Sequence, residues 1–128
     1  MGYESKIYFC EEYNFPENKI HHSQIIAMID MCKMGYSSSV EDFLQCFDTE
    51  TTFSIYIPGC DEEGNETMVD EIEDMYGARL KYASDVEELY QCAKQMANES
   101  DYWRFDLLKG MIKKFKKYPN VKIVHYGY

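Results

Sequence analysis

The sequence predicts an α+β fold: an antiparallel sheet with two main helices on one face, plus a short helix. Three observations predict it. Apolar and polar residues alternate near both ends of the chain, over 3–13 and 121–128. Two amphipathic stretches lie side by side in the second half, over 84–97 and 101–118. Strand-like segments dominate the first half, so helices and strands are segregated rather than alternating.

The elements follow in order. In "YESKIYFCEEY", Tyr3, Ser5, Ile7 and Phe9 share one face and Lys6, Tyr8 and Cys10 the other, which is the period of a strand. "NFPENK" is a turn punctuated by Pro16 and Asn18. Segment 24–34 fits two patterns. Ile25, Met28, Ile29 and Cys32 match a helical period, yet the run is short, apolar and continuous like a buried strand. Gly35 suits the end of either. "SSSVEDFLQCF" reads as a short helix capped by Ser39, with Asp42 three residues on and Val40, Phe43, Leu44 and Phe47 facing inward.

"TTFSIYIPG" is a strand with Phe53, Ile55 and Ile57 alternating, stopped by Pro58-Gly59. "DEEGNE" is a turn in which Gly64-Asn65 suits a positive φ, and "TMV" is a short returning strand. The helix over 84–97 opens on a capping box of Ser84 and Glu87 and buries Val86, Leu89, Tyr90, Ala93 and Met96 or Ala97. "ANESD" breaks it. The next helix, 101–118, turns Phe105, Leu108, Met111 or Ile112, and Phe115 inward. Its last turns hold Lys113, Lys114, Lys116 and Lys117, where cations favour the helix dipole. Pro119-Asn120 ends it, and "VKIVHYGY" closes the chain as a strand.

A chain of 128 residues is expected to be one domain, 1–128. A hydrophobic fraction of 45% is that of a folded chain. Net charge is −10, which argues against general binding to nucleic-acid backbones or anionic membranes, since both need a basic surface. It permits mimicry of nucleic acid in a basic groove of a partner; solubility is the simpler reading. No apolar run approaches the roughly 18 residues of a membrane span. Five cysteines at wide spacing, with no CxxC, read as reduced thiols of a cytoplasmic protein rather than a zinc site. His21-His22 reads as a polar strand entrance, its side chains pointing apart. Twelve tyrosines suggest a sheet with a polar, tyrosine-rich face, which a homodimer or higher homo-oligomer would cover.

The familiar enzyme templates are missing: no GxSxG, no phosphate-cradling GxxxxGK, no HExxH and no GxGxxG. No enzyme activity, cofactor or metal is expected. Residues 61–74 hold eight carboxylates and no base, but lack the alternation of a calcium loop. A solvated acidic loop and a patch for a basic protein partner both fit. The two arginines are more pointed. Arg104 follows Trp103 near a helix start, where outward amides welcome an anion. Trp103 or Tyr102 could stack on a base. Arg79 and Lys81, beside Tyr76, come from a separate segment and could close the other side. The plainer alternative pairs Arg104 with Asp101 or another acid on the same face and puts Trp103 in the core.

"MGYESKIY" at the start, "IAMIDMCKMG", "EDMYGARL", "YWR" and the closing "VHYGY" resemble a group of small phage and prophage proteins. That group looks like the anti-Thoeris sponge family, viral proteins that sequester a cyclic ADP-ribose-type immune signal. The resemblance implies a small α+β unit that assembles into oligomers in the host cytoplasm and binds a cyclic nucleotide without cleaving it. Related sponges also hold cyclic oligonucleotides. It implies a strand over 24–34, because that run is β-branched in the family. It further implies Arg104, with Arg79 or Lys81, on the pyrophosphate, and Trp103 or Tyr76 on the base. Asn65 would read ribose hydroxyls and Met28 would form an apolar wall. The family's "YRR" step is Tyr-Trp-Arg here, so one cation is missing; Lys109 or Lys113, one and two turns further on, could substitute if the helix faces the ligand. The acidic loop over 59–74 is also longer. A rival of another class is an acidic anti-CRISPR-type inhibitor that places Asp70, Glu71, Glu73 and Asp74 in a nucleic-acid-binding groove.

Overall fold

The computed structural model describes residues 4–11, 19–47, 54–70, 80–83 and 85–127. Strands β1 (Glu4–Glu11), β3 (Ile25–Lys33), β6 (Leu80–Tyr82) and β7 (Val121–Gly127) form an antiparallel sheet in the order β3-β1-β7-β6. A smaller sheet runs β2 (Lys19–His21), β4 (Ser54–Cys60), β5 (Glu66–Asp70), with β2 parallel to β4. The helices are α1 (Ser38–Gln45), α2 (Val86–Glu99) and α3 (Trp103–Phe115). The fold is α+β, with the helices packed on one face of the antiparallel sheet, as the patterning predicts.

Alternation along the strands builds the core. Ile7 and Phe9 of β1, Ile29 and Met31 of β3 and Ile123 of β7 face the helices. Phe43, Leu89, Ala93, Met96, Phe105, Leu108 and Ile112 answer from α1, α2 and α3. Each fully buried leucine or isoleucine here is worth about 1.5–3 kcal/mol of transfer free energy. Phe9 stacks on Phe115 with centroids 4.7 Å apart, which fastens the far end of α3 to the central strand. The opposite face is less open than its tyrosines suggest: Cys10, Val124 and Tyr126 are buried there, outside the helix-side core.

Residues 25–33 form β3, an edge strand with two irregularities. Lys6 pairs with Asp30 but Ser5 with Cys32, so Met31 is an extra residue, a β-bulge. Cys32 has φ 51°, a left-handed conformation uncommon outside glycine. The Asp30 carboxylate accepts from the Cys32 amide at 2.8 Å and closes this turn of the chain locally. Gly35, at φ 79°, then redirects the backbone into α1.

Several element ends differ from expectation. The cap of α1 is Ser37, whose Oγ accepts from the Val40 amide at 3.3 Å. Ser39 is already inside the helix, buried, with its hydroxyl turned to Ser37 and to Glu99 of α2. The cap of α2 is Asp85, accepting from the Glu88 amide at 3.1 Å; Ser84 lies outside the described residues. Strand β4 runs through Pro58-Gly59 to Cys60. Its parallel partner β2 pairs only as far as Tyr56, so among the described residues Pro58 is paired with β5 alone, a setting in which a residue without an N–H is tolerated. His21 and His22 do not point apart: a 3-10 turn over His22–Gln24 begins there, and the two rings stack 4.9 Å apart. The "NFPENK" turn lies mostly outside the described residues.

Candidate functional site

Helix α3 begins without a side-chain cap at Tyr102. Its first residues reach outward instead. The Tyr102 hydroxyl donates to the Met31 carbonyl at 3.1 Å, and the Arg104 guanidinium donates to the Asp30 carbonyl. Both acceptors sit in the bulged part of edge strand β3, where the regular ladder is interrupted. The guanidinium also lies 4.8 Å from the centre of the Trp103 ring, a cation–π contact. Burial pushes the Tyr102 hydroxyl above the ordinary tyrosine range, with Arg104 acting in the opposite sense.

The predicted site residues are therefore scattered. Trp103 is not a core residue: it is 62% exposed. Arg104 is half-buried and, among the described residues, forms no salt bridge; its partner is a main-chain oxygen rather than Asp101. Met28 is exposed on β3, two residues before the carbonyl that Arg104 binds. Lys109 pairs with Asp106 at 3.2 Å, and Lys113 is exposed in the last turn of α3. Lys81 belongs to β6, the edge of the sheet opposite β3. Three strand spacings of about 4.8 Å separate those edges in the backbone. Asn65 sits at the exposed tip of the β4–β5 hairpin in the other sheet. Tyr76 and Arg79 lie outside the described residues, as do Glu71, Glu73 and Asp74.

In that hairpin tip Asp61 organises the turn. Its carboxylate accepts from the amides of Asn65 and Glu63, both at 2.9 Å, while Gly64 adopts φ 85°. These backbone bonds, Asn65 first, hold the Asp61 carboxyl below the usual range. Among the described residues no three His, Cys, Asp or Glu side chains gather as a metal site.

Sequence reasoning missed a concave surface elsewhere. An open, largely apolar cleft of about 750 Å3 runs along Gly35, Tyr36 and α1, walled by Val40 and Leu44. Tyr36 is 91% exposed beside it. None of the predicted site residues lines it. Only the glycine before an exposed tyrosine hinted at a turned-out loop here, and that hint is weak. A buried polar pair was also missed: His125 Nε2 and Ser5 Oγ are 3.0 Å apart, with the Phe47 ring 5.2 Å from the imidazole. Both side chains are almost wholly shielded, so the pair satisfies buried polar atoms rather than meeting a substrate.

No family model, curated protein or solved structure matches the chain.

Proposed function

We propose that the protein is a non-catalytic binder that sequesters a cyclic nucleotide immune signal, a cyclic ADP-ribose isomer, on behalf of a phage. The reading rests on the sequence resemblance and on one observation: an indole left 62% exposed with a guanidinium against its ring, at a helix start. A tryptophan is among the most costly side chains to leave in water, and a base stacking on it gains about 1–3 kcal/mol. Arg104 keeps further N–H groups besides the one given to Asp30, and the first amides of α3 lie beside it. In this reading a second copy of the chain completes the cage, because Lys113 stands about 13.5 Å along α3 from Arg104 and about half a turn round from it, and Lys81 is on the far edge of the sheet.

The test is calorimetry with the cyclic ADP-ribose isomer, followed by boiling and recovery of the nucleotide. Heat of binding with intact nucleotide recovered supports sequestration. A chemically changed nucleotide points to an enzyme, and no heat removes the proposal.

A second reading, the acidic anti-CRISPR-type inhibitor, is favoured by the β4–β5 hairpin, whose tip exposes Glu62, Glu63 and Glu66. It requires steep salt dependence of partner binding and loss of inhibition when Asp70, Glu71, Glu73 and Asp74 are neutralised. Sequestration of a small ligand requires neither.

A further inference from the structure

Cys46 ends α1 and Cys92 lies in the middle of α2, 46 positions later in the chain, yet their sulfur atoms are 3.7 Å apart. The remaining cysteines are placed differently: Cys10 is buried in the sheet, and Cys32 and Cys60 are exposed. We propose that Cys46 and Cys92 are a redox pair that closes to a disulfide and locks α1 onto α2.

The geometry favours this pair. A disulfide needs sulfurs about 2.0 Å apart, so they must approach by only some 1.6 Å, within reach of side-chain rotation. Cys46 sits in the turn just past the last helical residue of α1, where the backbone can yield. The Cys46 sulfur lies within donating distance of Cys92 Sγ, at 3.7 Å, and of the Asp42 carbonyl, at 3.4 Å, so its single S–H has these two acceptors to choose between. Access is one-sided. Cys92 is half-buried and lines a groove of about 270 Å3 between α1 and α2, together with Ser38, Asp42 and Gln91. Cys46 is buried behind it. No third ligating side chain joins them among the described residues, so the arrangement suits oxidation better than metal binding.

The chemistry is thiol–disulfide exchange with a small disulfide as oxidant. The Cys92 thiolate attacks one sulfur of the oxidant, and the other sulfur leaves as a thiolate that takes up the proton lost by Cys92. Cys46 then gives up its proton and attacks the Cys92 sulfur, expelling the second small thiol. In sum, two protein thiols and one small disulfide become one protein disulfide and two small thiols. Two electrons pass from the protein to the oxidant. Burial, with Cys92 and nearby carboxylates adding to it, holds the Cys46 thiol up at about 12, so the half-buried Cys92 meets the oxidant first, and the closing attack by Cys46 relies on its sulfur being already 3.7 Å away.

The test incubates the whole protein with oxidised glutathione, alkylates free thiols after denaturation and maps the peptides by mass spectrometry. The expected product is a Cys46–Cys92 crosslink within one chain, with neither of these two thiols alkylated whatever happens at the exposed Cys32 and Cys60, and a raised melting temperature that dithiothreitol reverses. Cys46→Ser is expected to stop at a glutathione adduct on Cys92, and Cys92→Ser to leave Cys46 unmodified. Crosslinks that join Cys46 or Cys92 to another cysteine overturn the proposal. So does a wild-type protein that accumulates the glutathione adduct, or one in which both thiols stay free. The wild-type mapping stands alone if either variant fails to fold.

Discussion

The guanidinium of Arg104 donates to the main-chain carbonyl of Asp30, and so joins the first turn of α3 to the bulge of edge strand β3. The bond does two things at once. It ties a main-chain acceptor beside the bulge to the helix, and it holds the arginine over Trp103. A residue singled out as a ligand contact is thus first a strut.

Arg104→Ala is expected to cost stability. A hydrogen bond from a charged group is worth about 1.5–3 kcal/mol, and partial exposure places this one near the lower end. Chemical denaturation should show a lower midpoint with an unchanged slope. Arg104→Lys is expected to recover only part, because an ammonium cannot both fork to the carbonyl and lie flat on an indole. Unchanged stability in the alanine variant would mean that Arg104 is not a strut.

Tyr102→Phe removes the bond to Met31 and should cost about 1 kcal/mol at neutral pH. The pH dependence has a definite sign. The hydroxyl is held above the ordinary tyrosine value of about 10, so its contribution is complete below that pH. It is lost as pH climbs from there through the raised value in the folded state, where a phenolate could no longer donate. Melting curves from pH 8 to 11 should therefore show the wild-type advantage over Tyr102→Phe shrinking at the alkaline end. A constant difference would count against the bond.

Trp103→Ala is expected to leave the fold within about 0.5 kcal/mol of wild type, as exposed positions usually do. Binding of the cyclic nucleotide should weaken by about 1–3 kcal/mol if the base stacks there. Trp103 is the sole tryptophan, so its fluorescence is an unambiguous reporter. Ligand binding that leaves the emission unaltered would place the nucleotide elsewhere, with the cleft beside Tyr36 the next surface to test.

Ser37→Ala and Asp85→Ala should each cost about 1 kcal/mol, the usual worth of a helix cap. The two changes should add, since the caps start different helices and share no described hydrogen bond. Thermal melts of the single and double variants check this.

The helices and long strands were legible because their apolar spacing is a property of the sequence itself: Leu89, Ala93 and Met96 point one way in any helix. Strand β3 was not decidable from its own residues. Ile25, Met28 and Ile29 satisfy a helix equally well, and only pairing with β1 settles the matter. The caps were misassigned by one or two residues, because Ser37, Ser38 and Ser39 are chemically alike and only packing against α2 chooses among them. Strands β2 and β6, of three residues each, are too short to show a period. At the site, the exposure of Trp103 and the union of Cys46 with Cys92 depend on how elements meet in space, which local spacing does not encode.

Pro58 has a consequence beyond its own strand. Any residue other than proline at this point of β4 would carry an N–H, the kind of donor that lets a stray extended segment add to a strand, the opening step of sheet-driven aggregation. A proline in that place withholds one such donor, a device by which strands discourage templated growth.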